Sequence, residues 1–197
     1  AEMAGGSGRT DPEGACGALA LGVTPIAITK DPTATGGIQP WTKQRLAGAQ
    51  PTLLDTTDGL PLEQIAALKP DLILATTYYG LSQDHAKLAT IAPLLAYTTG
   101  PNTDRWQHTL TRLGTLLDSE ARARQVVAAV QATITMDKQA HPEFAGKTFT
   151  FGPVQADGTI YTTSSSSDLS AALLGQLGLV LSPKVTALPP SSTKGKS

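Results

Sequence analysis

One cysteine in 197 residues, Cys16, leaves no partner for an internal disulfide and excludes a multi-cysteine metal cluster. The residues before it, Glu13-Gly14-Ala15, lack the apolar stretch that a lipidation signal needs, so Cys16 reads as a buried helix cysteine. No run approaches the ~20 apolar residues that span a bilayer. The chain is therefore expected to be soluble as it stands, with any export signal removed or never present. Charge is also scarce: 16% of residues are charged and the net charge is −1, with no long basic or acidic block. That argues against nucleic acid as a partner. Aromatics make up only 5% of the chain, so their positions carry information. There is no GxGxxG, no GxxxxGK[ST], no GxSxG elbow and no HExxH, which removes support for a phosphate-cradling loop, a serine hydrolase or a zinc protease. His85, His108 and His141 follow no metal-ligand spacing and read as surface or helix-end residues. Ser164 to Ser167 with Asp168 read as a loop ending in a helix cap rather than a nucleophile.

What is present is alternation. Ala1 to Thr10 are Gly/Ser-rich and expected to be loose. Asp11-Pro12-Glu13 opens a short apolar helix to Leu21, stopped by Gly22. Pro25–Thr29, Pro51–Asp55, Asp71–Ala75 and Leu94–Tyr97 read as strands, with a Thr/Gly/Pro loop from Asp31 to Pro40. The run "DLILA" at 71–75 suits a strand covered on both faces. Leu62–Leu68 and Ser82–Ala92 read as helices, the first with Leu62, Ile65, Ala66 and Leu68 inward. Short helices between strands predict a parallel sheet.

Asn102 or Thr103 is expected to cap the next helix, whose Trp106, Leu110, Leu113 and Leu117 form one apolar stripe. Ser119-Glu120 opens a long helix to about Ala140, roughly 30 Å at 1.5 Å per residue, ended by His141-Pro142. Strand signals return in Lys147–Phe151 and Gly158–Thr162, followed by a helix at Leu169–Leu177. The tail from Ser182 onward has no core-forming pattern. The predicted fold is α/β, with two Rossmann-like lobes bridged by one long helix and the second lobe incomplete. The divisions are a loose segment 1–12, a first lobe 13–117, a spine helix 118–141 and the start of a second lobe 142–197.

In open α/β sheets ligands bind beyond the carboxyl ends of the strands. The aromatics and arginines that follow strands are Trp41 with Arg45, Tyr78 with Tyr79, and Arg105 with Trp106. Arginines beside aromatic faces suit a bulky, anionic, partly aromatic ligand. Trp106 also lies on its own helix's apolar stripe, Trp41 can plug a loop base, and adjacent Tyr78 and Tyr79 cannot both face one side.

The segment "LEQIAALKPDLIL", Leu62–Leu74, resembles the most recognisable stretch of the class III substrate-binding proteins, which serve transporters for ferric siderophores, haem and cobalamin. "ALALGVTPIAIT", "IAPLLAY", "LGTLLDSEARARQVV", "GKTFTFG" and "LLGQLGLVLSP" extend the resemblance over roughly Glu13 to Pro183, nearest to the iron-siderophore lipoprotein branch. The resemblance implies a cell-envelope binding protein without enzymatic activity or covalent cofactor. It would hold a ferric siderophore in a cleft between two lobes and deliver it to an ABC transporter permease. It also implies a monomer, located in the periplasm or otherwise outside the cytoplasm, and anchored as a lipoprotein in its precursor. Haem or cobalamin is the alternative ligand, and a small α/β enzyme or a truncated, non-binding remnant are the rivals. By position in the motif, Glu63 matches a first-lobe glutamate that docks onto transporter arginines. It also suits the first turn of a helix as an ordinary exposed carboxylate.

Overall fold

The computed structural model describes residues 2–4, 12–101, 103–152 and 161–188. It divides into two compact units, Ala1–Val127 and Ala128–Ser197.

The first unit is built on parallel strands. β1 (Glu2–Ala4) pairs with β4 (Leu72–Ala75), which pairs with β5 (Leu94–Ala96), in the register Glu2–Leu72 and Ile73–Leu94. β2 (Ala27–Thr29) pairs in parallel with β3 (Thr52–Leu54), and this pair lies beside β1, next to the three-stranded sheet β1-β4-β5. β1 corrects the expectation of a loose segment at 1–10 for residues 2–4, and the rest of that segment lies outside the described residues. β4 is apolar throughout and leaves a row of backbone donors and acceptors on the edge away from β5. β1 satisfies them despite the Gly/Ser-rich sequence that follows it.

Alternation along β4 sorts its side chains to two faces. Ile73 and Ala75 join Ala27, Leu54, Ile65, Tyr78, Leu81, Leu88 and Ala92, while Leu72 and Leu74 join Ala18, Leu21, Leu95, Leu110, Leu113 and Ala123. Both faces are covered, as the continuous apolar run requires. The first cluster lies under α3 (Leu62–Ala67) and α4 (Leu81–Ala89). The second lies under α1 (Pro12–Ala20), α5 (Trp106–Leu116) and the start of α6 (Glu120–Ala140). A third group, Ala15, Ile28 and Leu46, seats α2 (Pro40–Leu46).

Several local expectations shift. Residues 40–46, given no element beyond the loop ending at Pro40, form a helix, because Pro40 at the first helical position supplies a preset φ where its missing N–H costs nothing. Ala66 is exposed, while Ile65 is buried and Leu62 and Leu68 pack against the core. α4 ends at Ala89, short of Pro93. Cys16 is only half-buried, its thiol 3.6 Å from the Thr42 hydroxyl. The cap of α5 is Arg105, with no side-chain bond, since the Thr103 hydroxyl bonds instead to Thr99 and to the Gly100 carbonyl. Asn102 lies outside the described residues.

α6 is a single unbroken helix of 21 residues, as expected. In the second unit, β6 (Thr148–Phe149) pairs in parallel with β7 (Val180–Leu181). α7 (Leu169–Gln176) is capped by Asp168, whose Oδ1 accepts from the Ser170 and Ala171 amides at 3.0 and 3.1 Å. α8 (Pro183–Thr186) buries Val185 against Ala171 and Leu181. That corrects the reading of the tail from Ser182 as patternless for residues 182–188, where one valine is enough to pin a single helical turn, and the rest of the tail lies outside the described residues. The strand expected at Gly158–Thr162 falls mostly outside the described residues, and Tyr161 and Thr162 are not in a strand.

Candidate functional site at the carboxyl ends of the first sheet

In a parallel sheet every strand ends at the same edge, and the helix that follows each strand starts there. Lys30 and Asp31 follow β2, Asp55 follows β3, Tyr78 and Tyr79 follow β4, and Thr98 to Trp106 follow β5. All of the candidate ligand residues therefore attach to one rim.

Carboxylates brace that rim. Asp31 Oδ1 accepts from the Thr33 amide and hydroxyl at 2.8 and 2.7 Å. Asp55 repeats the arrangement with the Thr57 amide and hydroxyl at 3.1 and 2.6 Å, and its Oδ2 pairs with Lys30 Nζ at 2.9 Å. The Thr57 hydroxyl, then Lys30, hold the Asp55 carboxyl well below its ordinary pKa. Both are Asp-x-Thr turns, in which the side chain replaces a backbone partner two residues on. The third brace runs backward: Asp104, 8% exposed, accepts from the Thr98 amide at 2.7 Å and the Thr98 hydroxyl at 2.5 Å. Arg112 Nη1 lies 3.7 Å from it and donates to the Ala96 carbonyl at 2.7 Å, tying α5 to the end of β5. Burial opposes the Asp104 charge, yet the Thr98 and Thr99 bonds win and keep its carboxyl below the ordinary value.

The aromatic and arginine candidates separate on this rim. Trp41, 55% exposed, stands in the first turn of α2. Arg45 is exposed on the same helix face four residues on, one turn farther from the rim. Tyr79 is 49% exposed. Tyr78 departs from the expectation of a ligand-facing residue: it is 5% exposed in the first core cluster, and its hydroxyl donates to Asp84 Oδ2 at 2.6 Å. Burial, then the Asp84 carboxylate, drives the Tyr78 pKa above its ordinary value. The two neighbours divide between core and solvent, Tyr78 inward and Tyr79, in the turn before α4, outward. Arg105 is exposed where α5 begins, whereas Trp106 is half-buried and packs against the second core cluster. The core reading of Trp106 is thus the one the packing favours.

Glu63 is exposed in the first turn of α3. His85, His108 and His141 are exposed as well, and among the described residues no group of three or more His, Cys, Asp or Glu side chains is placed to hold a metal. Residue-type reasoning about aromatics and arginines missed the braces Asp31, Asp55, Asp104 and Arg112. The Asp-x-Thr spacing after two successive strands was the available signal.

No curated protein matches the chain. Among solved structures it is similar to a periplasmic solute-binding protein of Mycobacterium smegmatis, with 33% identity and a TM-score of 0.76 over 92% of this chain and 63% of that one. It is similar also to PiaA of Streptococcus pneumoniae in complex with ferrichrome, with 30% identity and a TM-score of 0.73 over 94% of this chain and 62% of that one. SirA of Staphylococcus aureus shares the fold at 19% identity, with a TM-score of 0.74 over 94% of this chain and 64% of that one. The chain thus spans less than two thirds of the length of these relatives. The family profile described as periplasmic binding protein matches residues 10–180, and the chain belongs to that family.

Proposed function

We propose that this chain is the substrate-binding part of an ABC-type iron uptake system. It holds a ferric siderophore and passes it to a membrane permease, with no catalysis of its own. The reading places the protein outside the cytoplasm, as a monomer tethered as a lipoprotein in its precursor. Trp41, Tyr79, Arg45 and Arg105 are its first-unit ligand contacts, and Glu63 is its docking charge. Support comes from the family, from a relative solved with ferrichrome, and above all from one feature of the rim. Trp41 stands more than half exposed at the head of a helix anchored beneath by Thr42 and Leu46. A large apolar ring held out to solvent on a seated helix suits a ligand surface.

The test is a tryptophan-emission titration with ferrichrome, a ferric catecholate, haemin and cobalamin, corrected against free tryptophan amide for light absorbed by the iron complexes. A ferric siderophore is expected to quench saturably. Trp41→Ala should weaken binding roughly 5- to 150-fold, the effect of removing a contact that contributes ~1–3 kcal/mol. Saturation by haemin or cobalamin alone would replace the siderophore with the alternative ligand. No response to any of the four would remove the binding assignment.

A further inference from the structure

The link between β2 and α2 is closed by one buried carboxylate. Asp31 is 6% exposed, and its Oδ1 is taken by the Thr33 turn. Its Oδ2 accepts from Gln39 Nε2 at 2.5 Å. Its backbone amide donates to the Gly37 carbonyl at 2.9 Å, so the intervening loop folds back on the strand end. Gln39 is the residue before Pro40 and holds the extended conformation, φ −62 and ψ 143, that a following proline enforces. Pro40 then fixes its own φ. From the carboxylate to the Trp41 backbone few torsions remain free.

Core packing seats the underside of α2 through Thr42, in its first turn, and Leu46, and the Gln39 tie fixes the chain's entry into that turn just ahead of the exposed Trp41. A buried carboxylate is unfavourable unless its bonds compensate for lost water. Bonds to a charged acceptor are roughly twice as strong as neutral ones, which makes this a stiff bracket and not only a loop contact.

We infer that Asp31, acting through Gln39, is a positioning residue that sets the Trp41 ring for ligand contact. This rests on the assignment of Trp41 to the ligand surface. It adds that the ring's placement is carried by a side-chain bridge two residues upstream.

The experiment uses the whole chain with Trp106→Phe, so that emission reports Trp41 alone. Gln39→Leu cuts the bridge, with the longer 3.3 Å contact from Gln39 to the Thr33 hydroxyl, and leaves the Asp31–Thr33 bonds of the turn in place, and Gln39→Ala is the milder second variant should the leucine disturb folding. Asp31→Asn keeps an acceptor for Thr33 and can still bridge to a Gln39 amide turned end for end. Cutting the bridge is expected to lower the emission anisotropy of ligand-free Trp41 and to weaken ferrichrome binding roughly 3- to 10-fold, a part of the loss on Trp41→Ala because the ring is kept and only its placement is loosened. Added to Trp41→Ala it should cost nothing further, and Asp31→Asn should bind within about twofold of the parent.

Unchanged anisotropy and affinity in both Gln39 variants, or a loss that adds in full to that of Trp41→Ala, overturns the inference and leaves the siderophore reading standing. If ferrichrome binds and Trp41→Ala has no effect, the Trp41 assignment and this inference fall together. If ferrichrome does not bind, the anisotropy decides the inference by itself.

Discussion

Removing the Asp104 carboxylate tests whether the rim is a braced structure or a set of loops that happen to lie together. Asp104→Ala deletes the acceptor for the Thr98 amide and hydroxyl, the weaker 3.3 Å bond from the Thr99 hydroxyl, and the anion near Arg112, with the two short Thr98 bonds dominating. Hydrogen bonds to a charged group are worth ~1.5–3 kcal/mol each, so two suggest an upper bound of about 6 kcal/mol. Exposure reduces that figure. Thr98 is exposed, so water can reach its freed groups, and Arg112 keeps its bond to the Ala96 carbonyl. A loss of about 2–3 kcal/mol is therefore expected, measured as a drop in the urea midpoint at unchanged slope.

Acid supplies the second arm. The folded carboxyl titrates below the ordinary aspartate value, so its contribution is fully present above the unfolded pKa near ~3.9 and is lost as pH falls through the lower folded value. Asp104→Asn carries no charge to lose. Its deficit against wild type should be constant from pH 7 to 5 and shrink below about pH 4. A deficit under about 0.5 kcal/mol at pH 7, or one that does not change between pH 6 and pH 3, would refute the brace.

Gly114 in α5 faces Ala123 in α6, and a Cβ built there would lie 2.6 Å from the Ala123 Cβ and 3.4 Å from the Ser119 carbonyl oxygen. Overpacking of ~1–3 kcal/mol should outweigh a helix-propensity gain of ~1 kcal/mol, so Gly114→Ala is expected to lower the melting temperature, and an unchanged or raised value would contradict the packing. Gly175 in α7 has nothing within 4 Å of its built Cβ, and Gly175→Ala should stabilise by up to about 1 kcal/mol. Glu63→Arg should leave ferrichrome affinity of the purified chain unchanged while reducing transporter-dependent iron uptake by cells, most clearly at low salt. Loss of ligand affinity in that variant would move Glu63 from the docking surface to the ligand site.

The parts of the fold that were legible in the sequence are those where burial alone selects the residue. β4 announced itself as an uninterrupted apolar run because both its faces are covered. α5 and the start of α6 kept helical spacing because their stripes pack on the same cluster. What escaped was decided by hydrogen bonding and short-range geometry. α2 escaped because it is short, follows directly on a Thr/Gly/Pro-rich loop, and starts on Pro40 and a tie to Asp31, neither of which leaves a hydrophobic period. β1 escaped because its residues are chosen by the open edge of β4. The α5 cap was misplaced because Thr103 and Asp104, both good capping residues in isolation, are engaged by the β5–α5 loop instead.

The same division runs through the site. Residue chemistry nominated Trp41, Tyr78, Tyr79 and Trp106 equally, and only packing separated them. A tyrosine or tryptophan carries enough apolar surface to be claimed by a core whenever one lies within reach. Tyr78 had that core beside it and a carboxylate, Asp84, to take its hydroxyl, so it went inward, while Tyr79 in the following turn stays exposed. Trp106 lay on a stripe already committed to the second cluster. Trp41 had no such claim, because the underside of α2 was filled by Thr42 and Leu46, small enough to bury completely on a seven-residue helix. An aromatic therefore reaches the surface here where smaller neighbours have already closed the core. A carboxylate bridge then adds to the Thr42 and Leu46 packing in holding it in place.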